Sequence, residues 1–326
     1  MSNGCPPAHP GKVSERKWPK MRRLPLFILM ASFLYGVACR EPTVAATGAI
    51  GVRPVTQVSA GLAHTCALQT DSIVVCWGDN GSGERSVPKG LISVMQVDAG
   101  RARTCAVKTN RTVVCWGSDA GGTGVPPGLG SVTQVSLGGF HTCALKNEAS
   151  VFCWGSNSAD QLSVPGGLIS VKQVSVGYGH SCAATVDGAV VCWGYNNFGQ
   201  AAVPPDLTPV VQISAGYYHT CAVRKDGAVA CWGSNAGGQA AVPEGLTSVK
   251  QVSAGYGHTC ALKADTTVIC WGYNSDGQAS VPDSLTAVIQ ISAGFYHTCA
   301  LKSDVTVVCW GDNRYGQSTV PRRAAP

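Results

Sequence analysis

Charged residues are scarce in this chain, since Asp, Glu, Lys and Arg together make up 13% of its 326 residues. The formal net charge of +6 is concentrated at the amino-terminal end, because residues 1–38 carry six basic residues and one acidic residue. From Cys39 onward, 18 basic residues face 17 acidic ones and leave a net charge of +1. This part has no overall attraction for a phosphate backbone, so we expect no nucleic-acid partner.

The chain also lacks an apolar run long enough to indicate a membrane span. Its most prominent run, Leu24 to Leu34, follows Met21-Arg22-Arg23 and precedes small residues that end at Ala38. A basic start, an apolar core and small residues at the cut are typical of a secretory signal. We therefore predict a signal peptide over residues 1–38. Since a compact signal begins at Met21, residues 1–20 are expected to be an upstream mis-start or a poorly ordered extension.

A single nonrepeating set of acid, base and nucleophile is missing as well, so we expect no enzyme and no cofactor. What the chain has instead is an internal repeat of about 39 residues that begins at Val55. Its units begin at Val55, Val94, Val132, Val171, Val210, Val249 and Val288. Each unit contains one Trp-Gly pair, at Trp77, Trp116, Trp154, Trp193, Trp232, Trp271 and Trp310. The tryptophans are 39 residues apart except for one spacing of 38, which places a deletion between Trp116 and Val125.

Every unit reads as three short apolar runs with turn residues between them, which we name strands A, B and C. We also consider a fourth, outer edge strand near the Val-Pro step, where such a strand tolerates proline. Within each run the residues that face either side of the sheet are apolar. This predicts sheets whose two faces are both covered by neighbouring sheets. Seven such sheets around a channel predict an all-β fold, a seven-bladed β-propeller over residues 55–326. We also consider that residues 49–53 add an outer strand to the last blade.

The pattern H-T-C-A-L-K, V-V-C-W-G and N-x-x-G-Q resembles the repeats of the regulator of chromosome condensation family. The short unit is most similar to the compact bacterial branch that includes β-lactamase inhibitor protein II. The resemblance covers residues 55–321 and implies a seven-bladed propeller that serves as a binding platform. It does not identify the partner, because the family hosts both exchange factors and inhibitors.

Each unit carries two cysteines with nine residues between them. In a B–C hairpin with a three-residue loop the two lie opposite each other, close enough for a disulfide. Metal binding is the alternative, because His64 lies two residues before Cys66 on the same strand face. An oxidising compartment, the lack of a fourth recurring ligand and Arg103 in the histidine position favour disulfides and no metal. The pairs are Cys66 and Cys76, Cys105 and Cys115, Cys143 and Cys153, Cys182 and Cys192, Cys221 and Cys231, Cys260 and Cys270, and Cys299 and Cys309.

One cysteine is left over when these pairs are formed and Cys5 departs with the leader. The ending Val37-Ala38-Cys39 resembles the lipobox of bacterial lipoproteins, which predicts lipidation of Cys39. Gly36 departs from the usual leucine, and Gly36 with Ala38 also suits ordinary cleavage before Cys39. We expect an exported protein, either a lipoprotein of the bacterial cell envelope, anchored in the membrane only by its lipid, or a periplasmic or secreted protein. Residues 39–54 form its tether.

Residues that recur in every unit are best explained by the fold. The histidine before each cysteine invites a Cys–His catalytic reading, but six near-identical copies favour a structural residue that caps the A–B turn. The strand A glutamines are expected to satisfy backbone groups near the channel. The recurring histidines are His64, His141, His180, His219, His258 and His297, and the glutamines are Gln57, Gln96, Gln134, Gln173, Gln212, Gln251 and Gln290.

Function is expected where the copies differ, in the turn before the histidine and in the loop after Trp-Gly. Both loops lie at the same end of an up-down blade, and both carry aromatic residues of the kind that protein and carbohydrate sites use. The alternative is that these rings merely pack across blade junctions. The candidate binding residues are Phe140, Tyr178, Tyr217, Tyr218, Tyr256, Phe295, Tyr296, Tyr195, Phe198, Tyr273 and Tyr315.

The sequence thus predicts a noncatalytic, monomeric propeller that binds a protein partner through an aromatic loop face. An inhibitor of an exported enzyme is a special case of this function. A glycan-binding lectin is the first alternative. A guanine-nucleotide exchange factor is the second, although an export signal and a near-neutral domain speak against it.

Overall fold

The computed structural model describes residues 54–119 and 124–321. Within these residues all regular elements are strands, each five or six residues long. They are β1 (Val55–Ala60), β2 (His64–Gln69), β3 (Val74–Gly78), β4 (Val94–Ala99), β5 (Arg103–Lys108), β6 (Val113–Gly117), β7 (Val132–Leu137), β8 (His141–Lys146), β9 (Val151–Gly155), β10 (Val171–Val176), β11 (His180–Thr185), β12 (Val190–Gly194), β13 (Val210–Ala215), β14 (His219–Arg224), β15 (Val229–Gly233), β16 (Val249–Ala254), β17 (His258–Lys263), β18 (Val268–Gly272), β19 (Val288–Ala293), β20 (His297–Lys302) and β21 (Val307–Gly311).

The strands form seven antiparallel sheets of three, each in the order A-B-C. Blade one is β1-β2-β3, and the later blades follow in sequence to blade seven, β19-β20-β21. The prediction of an all-β propeller with seven blades is confirmed. The prediction of a fourth edge strand is wrong. In the described residues every sheet has three strands, and the segment around Val87 and Pro88 is irregular. Proline cannot donate to a ladder, and no strand forms there.

The B–C turn is the same in all seven blades. In blade one the Gln69 N–H donates to the Ile73 carbonyl (2.9 Å), which leaves a three-residue loop as predicted. The third loop residue has a positive φ throughout, with or without glycine. The residues and angles are Ser72 (63°), Arg111 (68°), Ala149 (61°), Gly188 (91°), Gly227 (80°), Thr266 (71°) and Val305 (64°). Three-residue hairpin loops require this left-handed position, so the loop length fixes the turn even where the residue is unfavourable.

This turn sets the register that brings the cysteines together. Cys66 lies opposite Cys76, and the corresponding pair is opposed in every blade. All seven pairs form disulfides, with Cα atoms 4.0 to 4.1 Å apart. Each outer hairpin is therefore cross-linked as the sequence predicts.

The apolar core lies between blades rather than within them. Seven clusters of buried side chains each combine two neighbouring blades. One of them joins Val58 and Trp77 of blade one to Leu301 and Val307 of blade seven. Burial of such a side chain stabilises the fold by about 1.5–3 kcal/mol. The first five residues of every strand B are buried, whereas most C strands are only partly covered, and Ile73 before β3 is 39% exposed.

The inner edge of each sheet is satisfied by the preceding blade. The side-chain amide of Gln96 accepts from the Val135 N–H and donates to the Val135 carbonyl, both at 2.8 Å. The Ser59 hydroxyl accepts from the Ala99 N–H (2.9 Å). Strand A is an edge strand whose free N–H and C=O groups need such partners. The expectation for the glutamines is confirmed, and the backbone groups belong to the next blade.

The histidines also act between blades. His64 Nε2 lies 2.9 Å from Thr104 Oγ1 of blade two, whose hydroxyl donates to the Glu84 carbonyl (2.8 Å). Because that donation uses the one hydroxyl proton of the threonine, the imidazole donates through Nε2. The expected cap of the histidine's own A–B turn is therefore wrong. The same bond recurs at His141, His180, His219, His258 and His297.

The ring closes through the carboxyl-terminal loop. Gln317 of the last unit accepts, at its carbonyl, hydrogen bonds from the Trp77 indole N–H (2.8 Å) and the Thr65 hydroxyl (3.0 Å) of blade one. Each unit thus sends its return segment onto the next blade. The leader, the tether and the strand expected at residues 49–53 lie outside the described residues. No helix in the described ranges is long and apolar enough to cross a membrane.

Candidate binding site at the channel mouth

Seven glycines at the ends of the A strands bring the blades together around a central cavity of about 160 Å³. A Cβ atom on Gly138 would lie 2.1 Å from the Gly177 carbonyl oxygen, and one on Gly177 would lie 2.3 Å from that of Gly216. The same close approach joins Gly294 of blade seven to Gly61 of blade one (2.5 Å). These backbones approach too closely for any side chain, so only glycine permits this narrow ring.

The cavity wall below these glycines is made of small polar side chains. Six blades present a serine there: Ser59, Ser136, Ser175, Ser214, Ser253 and Ser292. Blade two presents Asp98 instead. Its carboxylate accepts from the Ser59 hydroxyl (3.0 Å) and from the Leu137 N–H (2.7 Å). Burial raises the pKa of Asp98 to about 6, although the hydrogen bonds from Leu137, Ser59 and Ala99 oppose that shift.

Aromatic rings gather at the mouth of the cavity. Nine of the eleven candidate residues contact one another in a continuous group, which we call the aromatic arc: Phe140, Tyr178, Tyr195, Phe198, Tyr217, Tyr218, Tyr256, Phe295 and Tyr296. The arc runs from blade three to blade seven, and four of its rings line the cavity itself. Among the described residues, ring-to-ring contacts do not extend to Tyr273 or Tyr315.

Tyr217 is the centre of the arc. Its ring lies 3.9 Å from Tyr178, 4.3 Å from Tyr218 and 4.4 Å from Tyr256, measured between centroids. Burial, together with hydrogen bonds to the hydroxyls of Tyr178 and Tyr218, raises the pKa of Tyr217 well above its ordinary value. The Tyr217 hydroxyl therefore stays protonated and links its ring to those of Tyr178 and Tyr218 by hydrogen bonds.

In each of blades three to seven, one aromatic ring occupies an equivalent place. Depending on the blade, this ring comes from the loop after Trp-Gly or from the A–B turn. In blade four Tyr195, from the loop after Trp-Gly, covers Gly179, where a Cβ would lie 3.3 Å from the tyrosine Cβ. Tyr273 covers Gly257 in the same way (3.2 Å). The A–B turn itself supplies the ring in the other three, with Phe140, Tyr218 and Tyr296. Reading both variable loops together reveals this exchange in the sequence, whereas reading each loop alone conceals it.

The arc ends at blades one and two. Their A–B turns carry Leu62-Ala63 and Arg101-Ala102, and the Arg101 guanidinium lies 4.9 Å from the centroid of Phe140. Behind it, the buried Arg103 replaces the histidine and donates to the Thr142 hydroxyl. The mouth is therefore apolar and aromatic on one side and cationic at its edge.

The recurring Cys–His pairs offer no reactive site in this arrangement. The cysteines are bonded to each other, which removes them as thiolate nucleophiles or metal ligands. In the described ranges, no group of three or more His, Cys, Asp or Glu residues is arranged to hold a metal ion. Burial lowers the pKa of His64 and His180 to about 3, so these imidazoles are neutral.

The chain is similar to several solved propellers. The ectodomain of the receptor kinase CR4 from Physcomitrella patens shares 25% identity at a TM-score of 0.67, over 79% of this chain and 73% of that one. The CRINKLY WD40 ectodomain of the Arabidopsis thaliana receptor kinase ACR4 shares 25% identity at a TM-score of 0.65, over 79% and 97%. Prp20p from Saccharomyces cerevisiae shares 20% identity at a TM-score of 0.66, over 79% and 82%, and shows the fold alone.

The repeats themselves match a described family, although no curated protein matches the chain. The match is to the regulator of chromosome condensation (RCC1) repeat, over residues 55–84, 132–161, 171–200, 210–239, 249–278 and 288–317. Blade two, with its Asp98, Arg103 and shortened loop, is not among the matched segments. The six segments together span more than half of the chain, which therefore belongs to the regulator of chromosome condensation (RCC1) repeat family.

Proposed function

We propose that this chain is a noncatalytic, exported or lipid-anchored propeller that binds a protein partner through the aromatic arc together with Tyr273 and Tyr315. The observation that carries the proposal is the continuity of the arc around the cavity mouth. Three rings at the same loops are strongly exposed, namely Phe198 (49%), Tyr273 (43%) and Tyr315 (58%). Clustered aromatic side chains with few charges are characteristic of the residues that dominate binding energy at protein interfaces.

The packing of the arc favours binding for a second reason. Tyr217 is held by the rings of Tyr178, Tyr218 and Tyr256, so it loses little conformational entropy when a partner covers it. Rigid aromatic anchors of this kind increase affinity by reducing the cost of ordering. The junction-packing alternative describes the same contacts, but packing alone does not require the exposed rings at the rim.

Export is supported by the chemistry of the hairpins. Seven disulfides in one chain are typical of an oxidising compartment. The similar parts of CR4 and ACR4 are receptor ectodomains, and Prp20p binds Gsp1p and histones. At 20% identity the likeness to Prp20p concerns the fold and not the partners. Lipidation at Cys39 and placement in the compact bacterial branch stay predictions.

The anchor is tested by labelling cells with an alkyne fatty acid and comparing wild type with Cys39→Ser. We expect label and membrane retention in the wild type only. Label in neither protein, with a mature chain that begins at Cys39 or beside it, would establish simple cleavage and contradict the anchor.

The binding function is tested by affinity capture from the native cell envelope with the mature chain. The double variant Tyr217→Ala/Tyr218→Ala removes the centre of the arc. Phe152→Ala is the matched control, because Phe152 is 44% exposed but lies on strand C of blade three, away from the arc. We expect one protein to be captured by wild type and by the control, and to be lost from the double variant.

Competition with sugars separates the protein partner from a glycan. Capture that persists in excess mono- and oligosaccharide supports the proposal. Capture that a sugar abolishes, together with binding to a glycan array, would establish a lectin instead. Equal capture by wild type and Tyr217→Ala/Tyr218→Ala would place the binding surface elsewhere and contradict the proposal.

A further inference from the structure

We infer that the central cavity binds an alkylammonium group, presented by the partner as a lysine side chain, with the Asp98 carboxylate as counter-ion and the arc around its stem. This inference deepens the proposed function and rests on it for the source of the ammonium. The site itself is a property of the cavity, so it can be tested without the partner.

Asp98 is a charge that the scaffold does not need. At the equivalent junctions a serine hydroxyl accepts the same backbone hydrogen bond, as Ser214 does from the Ala254 N–H (3.0 Å) and Ser175 from the Ala215 N–H (2.9 Å). In blade two the Asp98 carboxylate accepts that bond from Leu137. A partly enclosed carboxylate is costly to desolvate, and a neutral serine performs the structural task. The difference therefore points to a ligand rather than to stability.

No basic side chain in the described ranges lines the cavity itself, and the Arg101 guanidinium at the edge of the mouth lies against the Phe140 ring. Of the described residues that line the cavity, Asp98 is the one charged side chain, and the others are Ser, Ala, Gly, Val, Leu, Tyr and Phe. The Ser59 hydroxyl and the N–H groups of Leu137 and Ala99 donate to the carboxylate, whose two oxygens offer about four acceptor positions, so about one position stays open. With a pKa of about 6, the group is mostly ionised at pH 7. A cation that enters the cavity thus meets a negative charge with an open acceptor position.

The mouth selects the kind of cation. Tyr178, Tyr217, Tyr256 and Phe295 line the entrance, and aromatic faces attract organic cations and their apolar stems. These rings lie on blades four to seven, across the cavity from Asp98 on blade two. In blade two the position equivalent to these rings is held by Arg101, three residues after Asp98 and beyond the end of β4 at Ala99. Three residues of chain span at most about 10 Å. A stem of several methylene groups therefore spans the distance between the rings and the carboxylate.

Lysine fits this geometry better than the other cations that proteins present. Its ammonium is compact and carries three donors, which match the carboxylate and the serine hydroxyls around it. A planar guanidinium is wider than an ammonium, and the glycine ring keeps the entrance narrow. A calcium ion takes six to eight oxygen ligands and gains nothing from aromatic rings at the entrance.

The test uses n-butylammonium chloride as the probe and the mature propeller at pH 7.5 and fixed ionic strength. Binding is followed by amide chemical shifts, in particular that of Leu137, whose N–H donates to Asp98. We expect saturable shifts at Leu137 and at the arc for n-butylammonium. Sodium, calcium and n-butanol, which lack either the stem or the charge, are expected to leave Leu137 unchanged.

The central variant is Asp98→Ser, which installs the residue that the six other blades carry and therefore preserves the fold. We expect it to weaken n-butylammonium at least tenfold. The variant Asp98→Ser/Ser214→Asp moves the carboxylate to blade five and is expected to restore binding, with the largest shift now at Ala254. Absence of saturable binding, equal binding by Asp98→Ser, or equal shifts with sodium would overturn the site.

The source of the ammonium is decided with the captured partner. We expect Asp98→Ser to weaken the partner at least tenfold, and acetylation of the partner's lysines to do the same. If Asp98→Ser weakens the binding of n-butylammonium but not that of the partner, the partner does not supply a lysine to the cavity. The proposed aromatic interface is unaffected by that result. If Tyr217→Ala/Tyr218→Ala leaves the partner bound while n-butylammonium still requires Asp98, the proposed function fails and the cavity site survives.

Discussion

Blade two and blade five have the same strand order but differ in the side chains of the A–B turn and of the blade junction. Blade five carries Tyr217-Tyr218 in its A–B turn and His219 at the junction, whereas blade two carries Arg101-Ala102 and Arg103. Both blades nevertheless form the same three strands and the same disulfide. Their bonds to neighbouring blades differ, since the Trp232 indole N–H donates to the Gln200 carbonyl (3.0 Å) whereas Trp116 Nε1 has no partner among the described residues. The scaffold therefore tolerates wide variation at the mouth, and the departures from the repeat carry the chemistry.

The largest expected effect is on acid unfolding, in which the six blades with a histidine, such as blade five, differ from blade two with its Arg103. Burial lowers the pKa of the six histidines to about 3 or 4, against about 6.5 in an unfolded chain. Between those values the unfolded state binds the protons, so stability is complete above pH 6.5 and is lost as the pH falls. Six sites correspond to a slope of up to about 8 kcal/mol per pH unit.

Urea titrations between pH 7.5 and 4.5, followed by circular dichroism, measure that slope. Nδ1 of each histidine has no partner among the described residues, which explains why a second proton is not accommodated. Arg103 stays charged and takes up no proton on unfolding. Arg103→His is therefore expected to increase proton uptake on unfolding by about one, which steepens the pH dependence of stability. A stability that is flat to pH 4.5 would contradict the neutral histidine ring.

The next largest effect is expected on partner binding when Tyr217, the centre of the aromatic arc, is removed. Tyr217→Ala is expected to weaken the partner by about 2 kcal/mol or more, roughly 30-fold, because a rigid and partly buried anchor is lost. Arg101→Ala, in the corresponding turn of blade two, is expected to change affinity less than threefold. Titration calorimetry with the captured partner measures both, and a larger effect at Arg101 would reverse the assignment of the two blades.

Replacing Asp98 with serine tests how the carboxylate in the cavity wall affects the free energy of unfolding, independently of any ligand. The pKa of Asp98 is raised in the folded state, so its ionisation destabilises the fold at pH 7 and that penalty disappears as the pH falls below about 4. Asp98→Ser is expected to raise the free energy of unfolding by about 2 kcal/mol at pH 7.5 and by little at pH 4. A destabilised Asp98→Ser at neutral pH would show that the carboxylate is structural.

The smallest expected effect concerns the B–C turn, where blade seven differs from blade four. Val305 holds a φ of 64°, which a β-branched residue adopts only with strain, whereas Gly188 adopts 91° freely. Val305→Gly is expected to stabilise by about 0.5–1 kcal/mol in thermal unfolding, after the entropy cost of glycine. Gly188→Val is the reverse control and should destabilise, since its Cβ would lie 2.8 Å from that of Pro209.

The fold was predictable because one unit is repeated seven times with nearly constant spacing. That regularity predicts the strands, the B–C register and the disulfides, since all three depend on residues close together in the chain. The partner of each histidine was not predictable in the same way. His64 and Thr104 are 40 residues apart, and the closing pair His297 and Thr65 are 232 apart.

The candidate site was predictable only in part. The sequence identified the aromatic residues, but not that Tyr195 and Tyr273 fill the space left by the glycines of another loop. Asp98 is visible in the sequence as the exception at the serine position of strand A. Its meaning depends on the cavity that seven blades enclose, which no single unit reveals.

Hydrogen–deuterium exchange of the complex with the captured partner tests the central claim most directly. The account predicts protection at the A–B turns of blades four to seven, around Tyr178, Tyr217, Tyr256 and Phe295, and in the loop that contains Phe198. The outer C strands, such as β9 and β18, should exchange as in the free protein. Protection confined to those outer strands, with unchanged exchange at the four turns, would contradict the account.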